Sequence, residues 1–231
     1  MTLLHRGKVK SVFDVKDEDD QVVLQYHDKV TAGNGKRVDF PEDKGTVCCQ
    51  ISEWFFKYFE DKVQTHYINC PSPSHMLCKK LHMIPVEVIC RNIATGSLVR
   101  DTTVKEGMVL DPPLVEFNLK DDERDDPLLT DDRVRLMGFD PHTFRRGATE
   151  MNWHFKKIFG EMDIDIVDFK LEYGHDAKGG LYLADEISPD NMRLWKKGTK
   201  ERFDKDLFRK NEGDMVEAYK YILDNLQGLI L

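Results

Sequence analysis

The segment "DFKLEYGHDAKGGLYLADEISPD", residues 168–190, sets the fold class. Two runs of aromatic and branched apolar residues meet at a Gly-rich centre, which is the pattern of a β-hairpin. Side chains alternate across a strand, so Phe169, Leu171 and Tyr173 share one face while Asp168, Lys170 and Glu172 share the other. The first face predicts core and the second predicts chemistry. On the return strand Asp185 shares its face with Leu181 and Leu183, and Glu186 points the opposite way. Strict extension therefore cannot bring both acids to one place; a bulge or the end of the strand must decide. Carboxylates on adjacent strands repel unless a cation lies between them, and oxygen donors of this kind suit Mg2+ held together with nucleotide phosphates. The competing reading is a solvated polar face in which Lys170 neutralises Asp168 and Glu172.

Elements of both kinds flank the hairpin. Beyond Pro141, the residues Phe144, Ala148, Met151, Phe155, Ile158 and Phe159 recur at helical spacing. The C-terminal "DLFRKNEGDMVEAYKYILDNLQ" predicts a second helical region. Near the start, "KVKSVFDV" and "QVVLQYHDKV" surround the charged turn "KDEDD", which predicts two antiparallel strands over 8–30. Val47, Ile51, Trp54, Phe55, Tyr58 and Phe59 predict a helix over 46–63 that buries one face on that sheet. Strands follow in "MLCKKLH" and "PVEVICRNI", with Pro85 tolerated at a strand start. The stretch Asp111–Arg135, rich in acid and proline, predicts a loop or crossing segment that joins two lobes. The class is α+β.

Composition excludes several partners. A chain of 231 residues, 40% hydrophobic and 10% aromatic, can bury a core as one large domain or two small ones sharing a cleft. A net charge of -8 argues against nucleic acid as a partner. Five cysteines, an odd number without a C-x-x-C pair, suit reduced thiols in a cytosol. The histidines lack zinc-ligand spacing. "MTLLHRGKVK" has no signal-peptide core and no apolar run is long enough to span a bilayer, so the expectation is a soluble cytoplasmic protein without a membrane partner.

Three further motifs carry candidate chemistry. In "RGKVKSVFDV", Lys8 and Lys10 fall on one strand face behind Gly7, an arrangement suited to phosphates, although an exposed basic strand gives the same pattern and no Walker motif is present. "TAGNGKR" reads first as a turn. In "IPVEVICRNIATGSLVR", Arg91 leads into a Thr-Gly-Ser turn ending at Ser97, a place for a phosphate monoester; the alternative is an ion pair between Glu87 and Arg91. In "SPDNMRLW", Ser188, Pro189 and Asp190 make a turn from which Arg193 can return toward the acids, and Trp195 packs in the core. Lys120 is a lone cation in "NLKDDERDDP".

Set in order, "IPVEVICRNIATGS", "IVDFKLEYG", "LADEISPD" and "RLW" resemble the SAICAR synthetase family of purine-pathway ligases, with "RGKVKSVF" and "LKDDERDDP" extending the likeness over nearly the whole chain. The resemblance implies a two-lobed α+β fold related to ATP-grasp, with antiparallel sheets, packed helices and an ATP cleft between the lobes. It implies an N-terminal ATP-binding lobe over 1–83 and a larger lobe over 84–231 carrying the ribonucleotide and metal site. The family joins carboxyaminoimidazole ribonucleotide to L-aspartate and releases ADP and phosphate. By position, Lys8 and Lys10 would touch ATP phosphates, and Glu172 and Asp185 would hold Mg2+. Arg91, Ser97, Asp190 and Arg193 would bind the ribonucleotide, Asp168 and Lys170 would act near its imidazole and carboxylate, and Lys120 would lie by the reacting phosphate or aspartate. A homodimer is the assembly carried over. Two positions depart from the family pattern: Asn34, where members often carry an acid, and Met192, which replaces a small polar residue. Another ATP-dependent carboxylate–amine ligase or small-molecule kinase would use the same lysines and acids, and a non-catalytic nucleotide-binding module is the third class.

Overall fold

The computed structural model describes residues 1–33 and 35–229, so the Asn34 departure lies outside the described residues. The chain divides into two compact units that do not follow its order. One takes Met1–Ile84, Glu172–Asp190 and the segment from Lys205 onward; the other takes Pro85–Leu171 and Asn191–Asp204. The first segment ends at Ile84, and the chain after it is shared between both units.

In the first unit, β1 (Thr2–Arg6), β2 (Lys10–Val15) and β3 (Glu18–Tyr26) are followed by a short ribbon of β4 (Val30–Ala32) and β5 (Arg37–Asp39). After α1 (Lys44–Tyr58) come β6 (Tyr67–Ser72) and β7 (His75–Lys79). The antiparallel sheet runs β1-β2-β3-β7-β6. The predicted hairpin forms, turning at Lys16 and Asp17, but Lys8 stands in the bend between β1 and β2. The shared strand face expected for Lys8 and Lys10 is thus not formed; Gly7 N–H closes the bend onto the Lys10 carbonyl at 2.8 Å. Two strands, β1 and β6, lack an alternating apolar pattern because they are sheet edges. The helix predicted over 46–63 begins earlier and ends at Tyr58, burying Val47, Ile51, Phe55 and Phe56 against β3, β6 and β7.

The second unit begins within β8 (His82–Ile93), continues through α2 (Ser97–Arg100), β9 (Val109–Leu119), β10 (Leu128–Leu129), α3 (Asp131–Leu136) and α4 (Pro141–Gly160), and enters β11 (Ile164–His175). Its sheet follows β10-β9-β8-β11. The loop expected over 111–135 is therefore wrong for most of its length. Val115, Phe117 and Leu119 alternate inward on β9, and β9 pairs with both β8 and β10. Arg91 faces Leu114 and Ile93 faces Val109, so residues 110–113 bulge opposite Asn92. Pro112 and Pro113, which have no N–H for a ladder, sit inside that bulge. α4 starts on Asp140, whose carboxylate accepts from the His142 and Thr143 amides, and packs Phe155 edge-on against Phe169 with ring centres 4.8 Å apart.

Past Leu171, β11 enters the first unit and turns back as β12 (Leu181–Ala184), pairing Glu172 with Ala184 and His175 with Leu181. β13 (Met192–Lys196) lies along the earlier part of β11. The chain ends with α5 (Asp206–Lys210) and α6 (Met215–Gly228), separated by left-handed Asn211; α6 packs on α1. No described helix is long and apolar enough to cross a membrane.

Candidate active site

In the second unit, polar side chains gather on one face of β8, β9, β11 and β13. Arg91 is buried, and its guanidinium donates to Glu116 at 2.7 Å, Asp168 at 3.0 Å and Ser97 Oγ at 2.8 Å. Arg193, opposite Asp168 in the strand register, donates to the same Asp168 oxygen at 2.7 Å. Two guanidiniums and two carboxylates thus balance in a site where an unpaired charge would be costly. Ser97 Oγ accepts from Arg91, which leaves its own hydrogen to donate to a ligand. Gly96, at φ +60°, has to be glycine: a Cβ there would stand 2.9 Å from Arg193 Nη2. Lys170 Nζ donates to Glu87 at 2.6 Å. The expected alternative of a Glu87–Arg91 pair is replaced by Glu87–Lys170 and Arg91–Asp168. The solvated polar face also fails, since Asp168 is only 4% and Glu172 only 2% exposed.

In the first unit the end of β12 resolves the problem of Asp185 and Glu186. Ala184 is the last strand residue and Asp185 takes a left-handed φ of 64°, so alternation stops there. Both acids then reach one ammonium: Lys10 Nζ donates to Asp185 at 2.5 Å and to Glu186 at 3.0 Å. Burial alone would push the Lys10 ammonium down, but the two carboxylates overcome it and hold its pKa well above the ordinary lysine value. Ser188 donates to the second oxygen of Glu186 at 2.8 Å. His66 Nε2 lies 3.1 Å from the Asp185 carbonyl, which can only accept, so the proton is on Nε2. Burial lowers the His66 pKa to about 4.

A second buried pair lies beside the first. Lys44, the first residue of α1, donates to Asp190, whose other oxygen accepts from Tyr219 Oη of α6 at 2.9 Å. Burial opposes the charge on Asp190, yet Lys44, Lys205 and the tyrosine hold its carboxyl well below the usual range. Cys48, Glu186 and Asp190 are the one group of three potential metal donors drawn together among the described residues. The Lys44 ammonium already bonds Asp190 there, and a thiol is a soft donor ill matched to Mg2+.

The sequence model of the family described as "SAICAR synthetase" matches residues 3–226. The chain belongs to the SAICAR synthetase family. It is 42% identical to the phosphoribosylaminoimidazole-succinocarboxamide synthase of Methanocaldococcus jannaschii over 98% of this chain and 95% of that one. Its identity to the Staphylococcus aureus synthase is 41%, covering 99% and 100% of the two. A solved SAICAR synthetase (Type-2) in complex with ADP superposes with a TM-score of 0.91 at 35% identity over 98% of both chains. The Ehrlichia chaffeensis synthase gives 0.91 at 30% identity over 99% of this chain and 100% of that one.

Among the SAICAR synthetase candidates, the structure brings Arg91, Ser97, Asp168 and Arg193 into one cluster, with Lys170 bonded to Glu87 on neighbouring β8. Lys10 and Asp185 form another in the first unit, and Asp190 pairs with Lys44. Lys120 follows the end of β9, its amide bonded to the Pro85 carbonyl and its side chain exposed. Met192, the departure from the family pattern, is 3% exposed in β13 opposite Phe169. Sequence reasoning missed Lys44, Glu116, His66 and Tyr219. Lys44 carried a signal: it precedes Val47, Cys48 and Ile51 at helical spacing, so a charge falls on the apolar stripe of α1.

Proposed function

We infer that this protein is a carbon–nitrogen ligase that joins 5-amino-1-(5-phosphoribosyl)imidazole-4-carboxylate to L-aspartate in de novo purine biosynthesis, converting ATP to ADP and phosphate. The observation that carries the inference is full-length kinship, 42% identity over 98% of the chain, to a synthase of that name. A carboxylate resists attack by an amine, so ATP first converts it to an acyl phosphate with a good leaving group; the aspartate amine then displaces phosphate. Such transfer depends on positioning and charge neutralisation more than on a protein nucleophile. The free cysteines, four of the five buried, and the concentration of lysines, arginines and acids fit that demand.

In this reading Ser97 donates its hydrogen to the ribonucleotide phosphate while Arg91 fixes the hydroxyl, and Arg193 and Asp190 complete the ribonucleotide contacts. Asp168 and Lys170 act near the imidazole and carboxylate, Lys8 and Lys10 meet the ATP phosphates, and Lys120 serves the reacting phosphate or aspartate. Glu172 and Asp185 are the residues that would hold Mg2+. They offer oxygen donors only, which suits a hard cation, and the register sets Glu172 opposite Ala184, the residue before Asp185; the Lys10 ammonium that bonds Asp185 would turn to the ATP phosphates where the cation takes its place. Mg2+ supplies charge neutralisation to the phosphates when bound. The free thiols suit a reducing compartment such as the cytoplasm.

The test is ADP release with ATP, Mg2+, the ribonucleotide and L-aspartate, each omitted in turn. Release that needs all four, with a succinocarboxamide product, is expected; ADP without aspartate would indicate a kinase. In the same assay Ser97→Ala should raise the KM for the ribonucleotide about tenfold, the worth of one hydrogen bond to a charged group, and leave the KM for ATP unchanged. Equal changes in both would remove Ser97 from the phosphate site.

A further inference from the structure

Cys49 lies on α1 and Cys70 on β6, and their sulfurs stand 3.9 Å apart. The same helix and strand meet in two further contacts. Tyr67 Oη donates to Glu53 at 3.0 Å, and the Phe56 and Tyr67 rings stack with centres 5.8 Å apart. The sulfur separation is thus held by packing on neighbouring turns. Cys49 is fully buried, whereas Cys70 is half-buried on an edge strand, in the irregular stretch between the Asn69–Leu77 and Ser72–His75 pairs. The contact with Cys70 and burial push the Cys49 thiol up, so Cys49 is not the group that meets an oxidant first.

We propose that Cys49 and Cys70 form a peroxide-oxidisable dithiol site that closes reversibly to an intramolecular disulfide fastening α1 to β6. The Cys70 thiolate attacks one oxygen of hydrogen peroxide; the O–O bond breaks, hydroxide leaves and is protonated to water, and Cys70 becomes a sulfenic acid. The Cys49 sulfur then attacks the Cys70 sulfur, the S–O bond breaks, and the Cys49 proton departs with the hydroxide as a second water. Two thiols lose two electrons and one peroxide gains them. Bond formation needs the sulfurs to approach from 3.9 Å to about 2.05 Å. The fold forms with both thiols reduced, and the ligase chemistry uses neither, so this is a modification site separate from catalysis. Cys48, next along the helix, faces Glu186 and Asp190 instead.

The experiment treats the native full-length protein with hydrogen peroxide, alkylates the remaining thiols and digests without reduction. Expected are two fewer free thiols, a monomer lighter by two hydrogens, and a Cys49–Cys70 link. Cys70 and Cys78 share one tryptic peptide, so fragment ions must separate them. The melting temperature should rise by about 7 °C, as expected for closing a loop of this size, and dithiothreitol should reverse every change. Cys70→Ser, at the half-buried edge position, should abolish the link, and Cys90→Ser should preserve it. Unchanged thiols, a link to Cys78, a Cys70-bridged dimer, or thiol loss that persists in Cys70→Ser would overturn the proposal.

Discussion

Lys44 is 1% exposed on a helix face otherwise given to apolar side chains, and the Asp190 carboxylate is what makes that tolerable. A buried pair of this kind contributes little against an apolar replacement, but removing one partner strands the other. Lys44→Met should therefore lower stability by about 3 kcal/mol in urea unfolding, and adding Asp190→Asn should restore most of it. An additive loss in the double variant would show that the two charges do not depend on each other. His66 acts over a different pH window. Its folded pKa of about 4 lies below the ordinary 6.5, so the unfolded chain binds the extra proton between those values. The stability that His66 lends is whole above pH 6.5 and is lost as pH falls toward 4, by about 3 kcal/mol in total. Asp190, whose pKa is depressed, loses its share only at still lower pH, below the usual carboxylate range. Unfolding midpoints measured from pH 7 to pH 4 should fall less steeply in His66→Gln than in the parent; parallel slopes would mean that His66 does not titrate on unfolding.

At the scale of elements, α6 supplies Tyr219 to Asp190 and packs on α1, so the start of α6 matters beyond its own turn. Asp214 caps it by accepting from the Val216 amide at 2.8 Å and the Glu217 amide at 3.2 Å. Asp214→Ala should cost about 1 kcal/mol and Asp214→Ser much less, read from unfolding midpoints. That cap lies within a stretch the sequence marked as helical, and Gly213 with Asn211 marks the break in it. Period-2 alternation made β11 legible, and 3.6-residue spacing did the same for α1 and α4. β9 was hidden because two prolines and several acids outweighed the alternation of Val115, Phe117 and Leu119; only the bulge that removes the prolines from the ladder reveals a strand. The acid platform was half legible. Alternation grouped Asp168, Lys170 and Glu172, but their partners come from β8, β13 and the end of β12, pairings that no local pattern carries.

The whole molecule is woven rather than strung. The chain passes between its two units at 84/85, 171/172, 190/191 and 204/205, so the first unit is assembled from three separate segments. Its N-terminal segment alone contains β2, the edge strands and α1, but its polar and apolar partners arrive later: Asp185 and Glu186 for Lys10, Asp190 for Lys44, and α6 for the face of α1. A fragment of residues 1–84 would leave two buried ammonium groups without carboxylates and expose the helix face that α6 covers. Each uncompensated charge costs several kcal/mol, comparable with the total stability of a small domain. The fragment should therefore lack cooperative thermal unfolding and dispersed amide resonances, although the hairpin β2–β3 is contiguous within it. Joining residues 1–84, 172–190 and 205–231 through flexible linkers supplies every one of those partners and should recover a cooperative transition. A cooperative, dispersed 1–84 fragment would mean that the N-terminal segment is a domain in its own right and that the later segments dock on a core already formed.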